Sequence, residues 1–419
     1  MPLLTSDIIL DEAMERYSQN SVILQLADGR YDPQWANSPV KGDTIAIRLP
    51  VYMQSRRGER AQPQAIDERL VTMVIPPAFG SDSLLTDRML SMELNDFKEQ
   101  VLEPHVDAIG AAAAKSATQT MALGVSNFVG TPGVVPTSLD VYQDAHRLLS
   151  QGGTPAGMGG VRHILVDAAM DQKATATGRT FFNPTAEISE RYRTGSMAGK
   201  MGEFGGATWY MEQALYQQTT GNFTGAVPLV AGANQSGTSI NLSGFANSIT
   251  GVLLQGDKLQ FTGCAMVHPV LGVVYPGDLQ AFTVAAACNS SNTGTVTVTL
   301  TEAIEFGTAY ANVSALPAAN APVFIWGQPT GATMNAISSI TFTVGIAMHK
   351  SALVYASPNL VLPADVDKLS GRTRSKIMKI GMRVWRASDV MSGEVVTRLD
   401  MLLGTLVGQS RKACLICSL

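Results

Sequence analysis

Between residues 225 and 330 the chain carries five charged side chains, Asp257, Lys258, Asp278, Glu302 and Glu305. A solvated helix repeats charge along its outer face, so a stretch this poor in charge is not a string of surface helices. It contains short runs of alternating polarity, Ser239–Leu242, Lys258–Phe261, Ala281–Ala285 and Thr295–Leu300, separated by Gly, Asn and Pro turns. Alternation of period two fits half-buried strands, and the spacing predicts a small β-barrel or sandwich. Mixed patterning with ordinary charge resumes afterwards, which makes the region an insertion into an α+β framework.

The flanks read differently. Residues 6–27 form a helical pattern, with Ser6 or Asp7 as a cap and Asp11 and Glu12 early, where the helix dipole favours acids. Ile45, Ile47 and Leu49 then share one strand face, and a second alternating run spans Leu70 to Ile75. The polar gap between them holds Arg56, Arg57 and Arg60, so the pair reads as a long hairpin with a basic tip. Such a hairpin is marginal in water without another surface to pack on. The longest helix begins near Asn95 and runs towards Met121, with Pro104 expected to kink it near Gln100. A further helix is expected over 138–150 and a short buried strand over His163–Val166. Residues 337–407 read as strands with a helix or two.

The 419 residues suffice for two to three domains. Charged residues make up 15%, against roughly 25% in a typical soluble domain. A chain this poor in charge can keep its surface covered by binding copies of itself. The net charge of −4 excludes a globally basic nucleic-acid binder. The basic run Lys368 to Arg386 is the local exception. On a strand, Arg372, Arg374 and Lys376 would share one face, open to DNA or an acidic partner, or solvated beside salt-bridge partners. No run of 18 apolar residues predicts a membrane span, and acids occupy the N-terminal stretch where a signal peptide needs an apolar core, so a cytoplasmic protein is expected.

Signals of chemistry are weak. Gly195–Met201 resembles a phosphate loop but is one residue short and places Met201 where a hydroxyl must hold magnesium. Gly124-Val-Ser126 lacks the last glycine of a nucleophile elbow. The five histidines are scattered. Cys414 and Cys417 have no second cysteine pair nearby, so they read as two reduced thiols on a tail and not as zinc ligands. No catalytic, cofactor or metal residue is expected.

The order of elements, with Phe181–Pro184, Gly202–Tyr210, Gly256–Gly263 and Ala309–Ser314 in sequence, resembles the Hong Kong 97-type phage capsid fold. More narrowly it resembles the coat proteins of short-tailed Salmonella phages, which carry an inserted β-barrel. The resemblance implies an N-terminal arm (1–40), an E-loop hairpin (41–78), a peripheral domain with the spine helix (79–136), a first part of the axial domain (137–224), the inserted β-barrel (225–330) and a return through axial and peripheral domains (331–419). It implies a major capsid protein, not an enzyme, building pentamers and hexamers of an icosahedral shell. Scaffolding and portal proteins would be partners, double-stranded DNA would be packaged without sequence specificity, and a decoration protein has room to bind. Assembly would occur in the host bacterial cytoplasm and the product would be the virion, with no membrane partner. Arg56, Arg57 and Arg60 become candidates for inter-subunit contact, and the arm and hairpin would order on a neighbour. The charged loop by which the Salmonella-type proteins bridge capsomers has no counterpart between Val230 and Thr250. Competing readings are an encapsulin-type compartment shell, another phage structural protein such as a tail tube or decoration protein, or an enzyme with an appended β-domain.

Overall fold

The predicted hairpin strands do pair. Thr44–Arg48 lies beside Leu70–Val74, and the alternation buries Ile47 and Met73 against Val354, Ala356 and Leu406. The computed structural model describes residues 13–17, 22–29, 44–49, 51, 53, 58–60, 63, 68–86, 102–154, 161–181, 200–204, 206–358, 360, 370–374, 380–389 and 394–419. The chain divides into two compact units. The first comprises Met1–Ile47, Leu70–Thr118 and Leu353–Gly408, and the second Arg48–Arg69, Gln119–Ala352 and Gln409–Leu419.

In the first unit, residues 13–17 and Val22–Leu26 are helical. Tyr17, Ile23 and Leu24 are buried. Arg16 forks onto Asp107 at 3.2 and 3.1 Å, and Asp28 exchanges backbone hydrogen bonds with Leu353 and Tyr355. The described part of the N-terminal segment thus packs on residues of its own unit. Its apolar residues find their cover in the same unit. A four-stranded antiparallel sheet runs in the order Gly371–Arg374, Gly381–Asp389, Glu394–Met401, Phe79–Thr86. The long helix spans Glu103–Gly124. Pro104 therefore stands in its first described turn, where a missing N–H is tolerated. The expected kink near Gln100 lies outside the described residues.

The second unit is built on a mixed seven-stranded sheet. Its order is Phe128–Val129, Ala413–Cys417, Thr341–His349, Arg162–Val166, Ala207–Met211, Lys200–Phe204, with Gln217–Thr219 also pairing onto Thr341–His349. Helix Asp140–Gln151 covers it through Tyr142, Ala145 and Leu149, a helical spacing that meets Ile164, Trp209, Cys414 and Ile416. Helix Ala168–Phe181 follows, with the Asp167 carboxylate accepting the Met170 N–H at 2.7 Å, an N-cap. Cys414 and Cys417 are fully buried in a sheet strand. The tail expected for them is in fact a strand, because its backbone pairs with Thr341–His349 on one side and Phe128–Val129 on the other, with Cys414 packed under helix Asp140–Gln151.

All four alternating runs of the charge-poor region lie in or overlap strands. Leu229–Val230, Gly237–Ser243 and Val296–Ile304 form one three-stranded antiparallel sheet; Val274–Thr283, Lys258–Val267 and Val323–Ile325 form another. Isolated bridges such as Val284 to Leu300 and Leu229 to Pro322 connect them. Among the described residues the ladders do not close, so the expected barrel is two small sheets joined at points. Gly244 shows why turns here need glycine: its φ is +85°, and a Cβ would lie 1.9 Å from the Val227 carbonyl oxygen.

Candidate functional site

Each of the five charges between 225 and 330 makes a bond that leaves the region, and each bond stays within the second unit. Glu305 takes both arms of the Arg69 guanidinium, at 2.6 and 3.0 Å. The same guanidinium lies 3.8 Å from the centroid of the Tyr310 ring. Arg69 stands one residue before the second hairpin strand, so this contact fastens the end of the hairpin loop, which belongs to the second unit, beside the strand end at Ile304. Asp278 accepts hydrogen bonds from Arg147 and, at 2.7 Å, from Gln151, both on helix Asp140–Gln151. Glu302 is held by Ser410 at 2.9 Å and Arg411 at 3.3 Å, just ahead of the Cys414–Cys417 strand.

Asp257 and Lys258 are fully buried. The Lys258 ammonium donates to the carbonyls of Ala122 and Val125 at 3.0 and 2.6 Å and to Thr283 Oγ1 at 3.0 Å. These carbonyls close the C-terminus of the long helix, whose last turn has no basic residue of its own. The ammonium thus satisfies oxygens that the helix cannot, at the end where its dipole is negative. The Asp257 carboxylate accepts the N–H groups of Gly221, Leu254 and the Trp326 indole at 2.8 to 3.0 Å. Burial pushes the Asp257 carboxyl up to about 6 and pulls Lys258 down to about 7, while each charge steadies the other. Trp326 packs edge-on between Phe128 and Phe342. Arg162 plays a parallel part at the end of helix Asp140–Gln151, donating to the His146 and Thr154 carbonyls at 3.0 and 3.1 Å.

Of the residues singled out in the sequence, Arg60 is exposed, while Arg56 and Arg57 lie outside the described residues. Arg372 is exposed on strand Gly371–Arg374. The register sets Arg372 opposite Arg383, whose guanidinium bonds the fully buried Asp400 at 2.5 Å, with Arg398 on the other carboxylate oxygen at 2.6 Å. Arg374 ends the same strand, and Lys376 lies outside the described residues. The basic run is therefore split: Arg383 is a half-buried partner of Asp400 and Arg372 is exposed. Among the described residues no cluster of His, Cys, Asp and Glu could hold a metal ion.

Sequence reasoning missed the Arg69–Glu305 fork and the Lys258 cap. One signal was legible: Asp257 and Lys258 are adjacent opposite charges in an almost uncharged region, a placement that favours mutual burial. Nothing local marks Arg69 as the partner of a residue more than two hundred positions away.

A sequence model of the P22 coat protein family, "P22 coat protein - gene protein 5", matches residues 3–406. The chain belongs to that family. It is a bacteriophage coat protein, a structural component of the capsid with an α+β fold. No curated protein matches this coat protein. Similar solved structures include a chain of Mycobacterium phage Che8 (11% identity, 95% of this chain and 91% of that one, TM-score 0.44). Another is the capsid of cyanophage P-SCSP1u (12% identity, 96% and 89%, TM-score 0.43). A third is a virus-like particle from Pyrococcus furiosus (6% identity, 98% of both chains, TM-score 0.39).

Proposed function

We propose that this coat protein assembles with copies of itself, as pentamers and hexamers, into the icosahedral shell that encloses the double-stranded DNA of a tailed phage. The observation that carries the reading is the coat-family match over residues 3–406. A scaffolding protein guides assembly in the host cytoplasm, a portal takes one vertex, DNA is held without sequence specificity, and the protein catalyses nothing. The six-part division from N-terminal arm to axial return describes how each segment serves the shell. In it the hairpin tip with Arg56, Arg57 and Arg60 contacts a neighbouring subunit, since guanidinium forks suit carboxylates across an interface. Arg372, Arg374 and Lys376 meet the DNA or an acidic partner. The helix containing Pro104 hinges as the precursor shell expands.

Expression of the chain, alone and with its scaffolding protein, followed by negative-stain electron microscopy tests the proposal. Closed shells or capsomer rings are expected. A monodisperse monomer in the presence of scaffold overturns it.

A further inference from the structure

The hairpin joining strands Lys258–Val267 and Val274–Thr283 ends in a turn that exposes four large apolar side chains: Leu271 is 70% exposed, Val270 50%, Val273 49% and Val274 41%. Clustered apolar exposure of this kind marks an interaction site more often than a solvated loop. The turn is also held in shape. The His268 N–H donates to the Val273 carbonyl at 2.8 Å, and Gly272 N–H to the His268 carbonyl at 2.9 Å. The His268 Nδ1 accepts the N–H groups of Val270 and Leu271 at 3.1 and 3.0 Å. Pro269 and His268 rest against Gly153, where an added Cβ would lie 3.0 Å from Pro269 Cγ. An apolar tip whose backbone is already fixed loses little entropy when it is covered.

We infer that this tip, Val270, Leu271, Val273 and Val274, is a contact knob that inserts against a second copy of the chain in the shell. Two observations choose that occupant. The chain belongs to a coat-protein family, and a shell built of coat protein sets copies of this chain side by side. The charge balance also fits: no charged residue lies between Lys258 and Asp278 in sequence, and all five charges of residues 225–330 are engaged in bonds within their own subunit. The knob therefore suits an uncharged surface, which the same region of a neighbouring copy supplies. In a ring of subunits such a contact is heterologous, knob to a different patch. The inference rests on the self-assembly reading above.

The test compares wild type with Leu271→Asp in scaffold-assisted assembly followed by sedimentation. A rise of at least tenfold in the critical concentration is expected, with an unchanged thermal melt of the unassembled chain. Wild-type-like assembly of Leu271→Asp overturns the knob, whereas failure of the wild type to assemble takes down the self-assembly reading and the knob with it. Because an altered melt would confound the variant, a photoreactive benzoylphenylalanine is also placed at position 271 and irradiated in assembled shells. A coat-to-coat adduct is the expected product; adducts to scaffold alone, or none, overturn the inference.

Discussion

Arg69 and Glu305, 236 positions apart, meet as a two-armed ion pair at 2.6 and 3.0 Å with the guanidinium stacked over Tyr310. A planar fork matched to a carboxylate is stronger than a single surface contact, and the aromatic face adds to it. A double-mutant cycle with Arg69→Ala and Glu305→Ala, read by urea unfolding of the unassembled chain, is expected to give a coupling of about 1 kcal/mol. Arg69→Lys keeps the charge but loses the fork, so it should recover less than half of that coupling. Additive single effects would show that the pair does not fasten the hairpin loop.

Lys258 makes three buried hydrogen bonds, two of them to the end of the long helix. Lys258→Ala strands those carbonyls and leaves the Asp257 carboxylate without its counter-charge, so a loss of about 3–5 kcal/mol is expected in the same urea assay. Replacing both residues, Asp257→Asn with Lys258→Met, removes the charges together and should cost less than the single change. A double variant as unstable as Lys258→Ala would mean that packing, and not the unpaired charge, sets the loss.

The same pair makes stability depend on pH. Burial raises the Asp257 carboxyl from 3.8 to about 6, so the folded chain holds that proton more tightly and this contribution is lost as pH rises through 6. Burial lowers Lys258 from 10.5 to about 7, so the unfolded chain binds the extra proton between 7 and 10.5, and stability rises again across that window. The pair's contribution is therefore smallest between pH 6 and 7 and grows on either side, by on the order of 3 kcal/mol towards acid and on the order of 5 kcal/mol towards alkali. Subtracting the pH profile of the Asp257→Asn, Lys258→Met double variant from that of the wild type should isolate this minimum. A flat difference profile would contradict it.

Local pattern accounts for what was legible in the sequence. Alternation located the strands at Thr44–Arg48, Gly237–Ser243 and Val296–Ile304, and a helical stripe located Asp140–Gln151, because each signal is a period within a few residues. Helix Ala168–Phe181 escaped notice, since its Ala and Thr residues carry no clear stripe. The Cys414–Cys417 strand was read as a tail because its place depends on pairing with Val344–Met348 and Phe128–Val129, far off in sequence. The barrel was over-read for a related reason: alternation reports that strands exist, not whether their ladders close. The site candidates were chosen as exposed basic clusters, while Lys258 and Arg162, two charges that the fold buries, stand outside any basic cluster in the sequence.

Burial of the cysteines gives a test that reads the second unit directly. All four thiols are buried, and burial pushes Cys264 up to about 11 and Cys414 and Cys417 higher still. The thiolate is the nucleophile in disulfide exchange, so both access and ionisation oppose reaction. At pH 8, Ellman's reagent should label none of the four in the folded chain within minutes, and all four in guanidinium chloride. Labelling of Cys414 and Cys417 requires the terminal strand to leave the sheet between Thr341–His349 and Phe128–Val129. Their rate should then follow the opening of the sheet and rise in Glu302→Ala, which frees Ser410 and Arg411 just ahead of that strand. Rapid labelling of both thiols in the native wild type would mean that the strand is not held in the sheet.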